Sequence, residues 1–312
     1  MPSKTMSNVK GGWLSGRRWV IGAAWIYLGG LPLAVAHQVH EEKQEIFSLQ
    51  KLSERAYCLF GRGGNVGILM GPDSILIVDD QYAEIAPGII EKVRTISPLP
   101  IKYLVNTHYH GDHTGGNAVF QPMTLIVAHD NVRPRMIEQA REEKPDLKVE
   151  QVPAPVVTFT HELRIYLDPE PIRVFYIHGG HTDGDSVIYR ASDKVLHMGD
   201  LFFNGVYPYI DIEGGGGIDH WLESIDAVLG QVAPDVQVIP GHGPVSDLAG
   251  LRHFRSYLAD TQAMVQTAIQ SGLSKEQILS SLKNEKYPEM KPAGSFTSWE
   301  KNLGWIYDDL TR

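Results

Sequence analysis

An α+β fold is predicted by three features of the sequence. Short β-branched runs end in polar, glycine-rich turns, helical periodicity separates several of those runs, and helical segments close the chain. Residues 46–80 read as successive strands. Within them, 66–70 and 74–78 flank Gly71-Pro72-Asp73 and should form a hairpin, with Asp79 and Asp80 at its exit. Residues 83–96 have helical periodicity and are stopped by Pro98 and Pro100. Residues 101–105 read as a buried strand, 124–128 as another, and 131–143 as a charged surface helix, so that His129 falls at a helix entry or on the surface. After a polar connection, strand patterning returns at 156–167, 172–177, 186–190 and 194–198. Residues 221–229 read as a helix and 236–239 as a strand. The last segments, 251–270, 275–282 and 298–310, read as helices packed on the outside. Neither a repeat nor a second-domain boundary is visible, so residues 37–312 are expected to form one domain with a helical C-terminal part from about residue 251.

The first 36 residues differ in character. Lys4, Lys10, Arg17 and Arg18 precede an apolar run from Trp19 to Ala36 that ends in Ala34-Val35-Ala36. This is the layout of a secretory signal peptide, and export to the periplasm follows from it. A transmembrane anchor is the alternative, weakened by Gly22, Gly29, Gly30 and Pro32 within the run. The Arg17-Arg18 pair also hints at the twin-arginine route. Cleavage after Ala36 would take the formal charge from −9 to −13, because the segment holds four basic residues and no acidic one. So acidic a chain has no attraction for nucleic acid, and without its leader it should not insert in a membrane. Its oligomeric state is not legible. Cys58 is the single cysteine, which excludes an internal disulfide; it reads as a small buried hydrophobe in a strand.

The chemistry concentrates in residues 106–117, where His108, His110, Asp112 and His113 follow the 101–105 strand and precede Gly115-Gly116. Side chains two apart on an extended segment point the same way, so His108 and His110 can grip one cation together. Asp112 and His113 can turn toward a second position. Imidazole and carboxylate are ligands that zinc accepts, and the cluster suits two adjacent metals.

The motif His-x-His-x-Asp-His resembles the signature of the metallo-β-lactamase superfamily. Three later points extend the resemblance in order: His181 in His178-Gly179-Gly180-His181-Thr182-Asp183-Gly184-Asp185, Asp200 in Met198-Gly199-Asp200, and His242 in Pro240-Gly241-His242-Gly243. His178 competes with His181, whose His-Thr-x-Gly-Asp setting fits the superfamily better. The resemblance spans about residues 45–250. It implies a four-layer αββα sandwich and two Zn²⁺ per chain. His108, His110 and His181 would bind the first, and Asp112, His113 and His242 the second, with Asp200 bridging. It also implies that Asp79 or Asp80 supports the metal loop from behind.

By the same resemblance, a hydroxide held between the metals would attack an acyl or phosphoryl centre, with Asp112 as the residue that orients it and transfers its proton. No Gly-x-Ser-x-Gly elbow offers an alternative nucleophile. His110 stands where redox relatives have glutamate, which favours zinc over iron. The loop at 201–217 is aromatic and starts at Asp200, so it should wall a small-molecule pocket. Tyr207 and Tyr209 could bring a hydroxyl to the substrate or simply pack the loop. The loop has no Lys or Arg and carries Asp211 and Glu213, which argues against a phosphate and weakens a β-lactam. A lactone, thioester or other ester-like compound fits best. A β-lactamase proper and a metal-binding module without turnover remain the alternatives.

Overall fold

The computed structural model describes residues 46–312; the expected leader at residues 1–36 lies outside them. The first sheet runs in chain order: β1 (Ser48–Lys51), β2 (Ala56–Phe60), β3 (Val66–Met70), β4 (Ile75–Val78), β5 (Ile101–Val105), β6 (Leu125–His129) and β7 (Val157–Phe159). Its first four strands pair antiparallel and the rest parallel. The first two parallel steps are crossed by the helices α1 (Ala86–Arg94), α2 (Gly111–Thr114) and α3 (Asn117–Phe120). The second sheet is also in chain order: β8 (Glu162–Tyr166), β9 (Pro171–Tyr176), β10 (Ser186–Arg190), β11 (Val195–His197), β12 (Gln237–Ile239) and β13 (Ser246–Asp247). The helices α4 (Val132–Glu143), α5 (Ile218–Leu229), α6 (Leu248–Gln270), α7 (Lys275–Ser281) and α8 (Trp299–Thr311) complete the described chain. Among the described residues no helix is long and apolar enough to cross a membrane.

Side-chain alternation divides the strands among three apolar layers. In β4, Ile75 and Ile77 pack toward α1, whose Ile89, Ile90 and Val93 cover that face. Leu76 and Val78 point the other way and meet Ile172, Val174 and Ile188 of the second sheet. In β10, Ile188 faces the first sheet, while Val187 and Tyr189 join Trp221, Ile225, Phe254 and Tyr257 of α5 and α6. The order helix, sheet, sheet, helix is the four-layer αββα sandwich. Strands buried on both faces carry continuous apolar runs, and each fully buried Ile or Leu contributes about 1.5–3 kcal/mol. Cys58 lies in the layer between the sheets, and burial pushes its thiol up. Buried Arg190 ties the two sheets: it donates to Met70 O of β3 at 2.7 Å and to Asp168 Oδ2 at 2.5 Å.

Three expectations need correction. The 156–167 stretch is two strands in different sheets, β7 and β8, because the chain crosses the sandwich at Thr160 and His161. His129 is buried rather than superficial: its ring stacks on Tyr176 at 3.9 Å and its Nε2 faces Thr160 O at 3.1 Å. The C-terminal helices do not merely cover the outside. They and their connection fasten the 201–217 loop, with Asn302 Nδ2 of α8 donating to Pro208 O at 2.9 Å and Asn284 Nδ2, after α7, to the Tyr207 hydroxyl at 3.2 Å.

Candidate metal centre

The His-x-His-x-Asp-His segment leaves β5 and winds through α2. Two devices hold it. Asn106 and Asn117 exchange side-chain hydrogen bonds of 3.1 and 2.9 Å, which close the segment on itself. Behind it, Asp79 accepts from the Thr107 amide and hydroxyl, both at 2.8 Å. Asp79 and Gln81 hold left-handed backbone, φ 62° and 57°, so the turn after β4 is strained where it supports the segment. Close approach requires glycine at two places. A Cβ on Gly64 would lie 2.1 Å from the His113 ring, and one on Gly241 would lie 1.9 Å from Asp200 Oδ1.

All seven expected ligands converge, in two groups. His110 Nδ1 lies 3.1 Å from His108 Nε2 and 2.9 Å from His181 Nε2, and Asp200 Oδ2 lies 3.4 Å from His181 Nε2. On the other side, His242 Nε2 is 3.2 Å from Asp112 Oδ2 and 3.4 Å from His113 Nε2. Asp200 Oδ1 turns to this second group, 3.2 Å from His113 Nε2 and 3.5 Å from His242 Nε2. Within each group the donor atoms lie within 4.8 Å of one another. The rival residue His178 is exposed, with its nearest ring neighbour His220 at 6.2 Å. His197 is buried against Asn65 O at 3.1 Å, outside both groups.

The donor chemistry fits cations. Four of the five histidines have their outward nitrogen on an oxygen: His113 Nδ1 on Asp79 (2.7 Å), His181 Nδ1 on Tyr209 O (2.8 Å), His110 Nε2 on Asp211 (2.9 Å) and His108 Nδ1 on Thr107 Oγ1 (3.0 Å). The Thr107 hydroxyl already donates to Asp79, so it accepts from His108. Each contact places the proton outward and leaves an inward lone pair, the state that metal ligation needs. Asp200 Oδ1 is buried and has no hydrogen-bond partner, as an oxygen reserved for a cation would be.

Electrostatics separates the groups. Burial holds His108 well below its ordinary value and takes His181 down to about 4, so both imidazoles are neutral at pH 7. Burial also opposes charge on His113 and His242, but Asp200 and Asp112 outweigh it; His113 is raised and His242 reaches about 9. In the metal-free protein His242 is therefore imidazolium at pH 7. Loading the second group should release at least about one proton, a number that calorimetry in buffers of different ionisation heat measures directly. The sign for stability follows. The metal-free protein gains from charged His242 fully below its unfolded pKa of about 6.5 and loses that gain as pH rises through about 9.

A cavity of about 670 Å³ opens over the two groups, with His110, Asp112, His181, Asp200 and His242 at its base. Tyr209 lines it, its ring stacked on His110 at 5.8 Å and its hydroxyl donating to Asp211 at 3.3 Å. Tyr207 lies outside the cavity, packed on Tyr257 and Trp299. Sequence reading missed three features. Asp211 counted only as a negative charge, yet it gathers His110, Gly214 N at 2.9 Å and the Tyr109 and Tyr209 hydroxyls. Tyr109 donates its hydroxyl to the same Asp211 oxygen that His110 faces. Arg62, from the turn between β2 and β3, supplies a cation to the cavity that the 201–217 loop lacks. Replacing Asp211 with asparagine should weaken metal binding about 10–100-fold, read by competition with a chromogenic chelator.

The sequence model of the metallo-beta-lactamase superfamily matches residues 62–246, more than half of the chain. The chain belongs to the metallo-β-lactamase superfamily. It is thus a hydrolase-superfamily member with a His/Asp metal-binding cluster and a small-molecule substrate. A type 2 metallo-beta-lactamase of Bacteroides fragilis is 22% identical over 233 residues, 71% of this chain and 89% of that one. The alpha subunit of a 2,4-dinitroanisole O-demethylase from Nocardioides sp. is 26% identical over 144 residues, 46% of this chain and 40% of the relative. Among solved structures, the DIM-1 metallo-beta-lactamase superposes with TM-score 0.56 at 22% identity, covering 69% of this chain and 97% of its own. The inverting sec-alkylsulfatase Pisa1 from Pseudomonas sp. gives 0.61 at 19% identity, covering 84% of this chain and 50% of that one. Such identities speak for the shared fold.

Proposed function

We propose that this member is an exported, two-zinc hydrolase that cleaves an uncharged or weakly charged acyl substrate such as a lactone, a thioester or another ester. The observation that carries the reading is the placement of Asp200, whose two carboxylate oxygens face different histidine groups beneath one open cavity. His108, His110 and His181 would hold one zinc, Asp112, His113 and His242 the other, and Asp200 both. Zinc held there supplies a Lewis acid and lowers the pKa of water toward about 7.

The chain's own residues do the rest. Burial opposes the charge on Asp112, but His113 and His242 overcome it and bring the carboxyl to about 2. Asp112 is therefore ionised at neutral pH. It stands at the cavity base, where its carboxylate can orient water and take a proton from it. Asp211, Tyr109 and Tyr209 fix the His110 ring, and Phe203 lies against His242 with ring centroids 5.4 Å apart. In this reading residues 1–36 are the cleaved leader, supported by their basic start and small-residue end, and residues 37–312 form the single mature domain.

Arg62 favours a second reading. It is the arginine of the cavity lining, paired with Glu84 at 3.2 Å on an exposed edge, and could receive the carboxylate of a β-lactam. Turnover by the purified, zinc-loaded chain against nitrocefin, a homoserine lactone, an acyl-glutathione thioester and a nitrophenyl phosphodiester separates the readings. Chelator-sensitive hydrolysis of the lactone or the thioester is the expected result. Cleavage of nitrocefin alone would select the β-lactam, and silence across the panel from protein with zinc bound would contradict the acyl-hydrolase reading.

A further inference from the structure

Beyond residue 246, where the superfamily match ends, the chain comes back to the cavity. Lys291 N donates to Gly205 O at 3.0 Å, and Tyr207 N donates to Lys291 O at 2.9 Å. This backbone bridge docks the C-terminal part on the loop that follows Asp200. The chain then makes a turn over the cavity, in which Ala293, Gly294, Phe296 and Thr297 line the wall. The turn is fixed rather than loose. Phe296 N donates to Ala293 O at 3.1 Å, Ala293 N to Thr297 Oγ1 at 2.9 Å, and Lys301 Nζ to the carbonyls of Ser295 and Phe296 at 2.8 and 2.9 Å.

Phe296 is 59% exposed on this held turn. Phe296 lines the cavity together with Tyr209 and Phe203, so the part of its ring left unburied is a surface that can meet an apolar ligand there. Its neighbours continue that surface toward the metal centre: Phe296 lies edge-on to Tyr209 at 5.2 Å, and Tyr209 stacks on His110. Phe203 adds a further ring to the lining. A cavity of about 670 Å³ is far larger than an acetyl group needs and suits a ligand of drug size.

We infer that the turn carrying Phe296 is an acyl-chain pocket, so that the substrate bears an extended alkyl or aryl acyl group lying along Phe296 and Tyr209 with its carbonyl at the metal centre. This rests on the hydrolase reading above. Phe296 sets specificity; it takes no part in bond making. Phe296 lies beyond residue 246, where the match to the superfamily's sequence model ends.

The test uses the zinc-loaded full chain and needs no turnover. Calorimetry gives Kd for straight-chain carboxylates from acetate to decanoate with wild type, Phe296→Ala and Phe296→Leu. In wild type, affinity should rise roughly two- to fourfold per methylene over the part of the series that fits. The rise should flatten in Phe296→Ala and persist in Phe296→Leu. Equal slopes in wild type and Phe296→Ala, or no slope in wild type, would overturn the pocket. A parallel series of nitrophenyl esters separates it from the hydrolase reading. Graded binding without cleavage of any ester, lactone or thioester would leave the pocket and remove the hydrolase. Cleavage indifferent to chain length would leave the hydrolase and remove the pocket.

Discussion

Asp112→Asn should lower kcat/KM by roughly 10²–10⁴, the range a positioned proton acceptor supplies, while the protein stays folded. Charge decides the effect. His113 and His242 hold the Asp112 carboxyl at about 2 in spite of its buried surroundings, so the wild-type group is an anion throughout the neutral range. Asparagine preserves shape and can still accept a hydrogen bond from His242, which lies 3.2 Å from Asp112 Oδ2. It cannot take up a proton. The comparison should be made at saturating zinc, with bound metal measured on the same samples, so that lost chemistry is separated from lost metal. Normal turnover with full metal would remove Asp112 from the proton-transfer role.

His108→Ala should reduce bound metal to about one ion per chain or fewer, measured by elemental analysis after dialysis. His108 is wholly buried, its outward nitrogen is fixed by Thr107, and its inward nitrogen meets His110 Nδ1 at 3.1 Å. Its loss leaves His110, His181 and Asp200 with one position of a four-coordinate site open in a buried setting. Because Asp200 faces both groups, the second is expected to weaken as well. An unchanged metal count would mean that the ligand assignment is wrong.

The fold was legible where periodicity is local. Strands such as β4 and β10 are marked by β-branched runs, and the turn at Gly71-Pro72-Asp73 announces the β3–β4 hairpin. The seven residues that converge were legible because they sit at strand ends in recognisable short motifs. What escaped depends on contacts between distant segments. Nothing in residues 156–167 says that the chain changes sheets, since a strand at a sheet edge reads the same on either side. Arg62 reaches the cavity through a turn separated from every ligand by dozens of residues. Tyr207 and Tyr209 are indistinguishable by spacing, yet the first turns into the C-terminal helices and the second toward His110. Asp211 looked like surface charge until folding placed it on the outward nitrogen of His110. The C-terminal helices read correctly as helices, but amphipathic patterning does not show that the turn at residues 293–297 will wall the cavity.

The most direct measurement is anomalous X-ray diffraction at the zinc edge from crystals of the zinc-loaded protein. Two peaks are expected in each chain, one among His108, His110 and His181 and one among Asp112, His113 and His242, with Asp200 in contact with both. A single peak, or metal held by other residues, would contradict it.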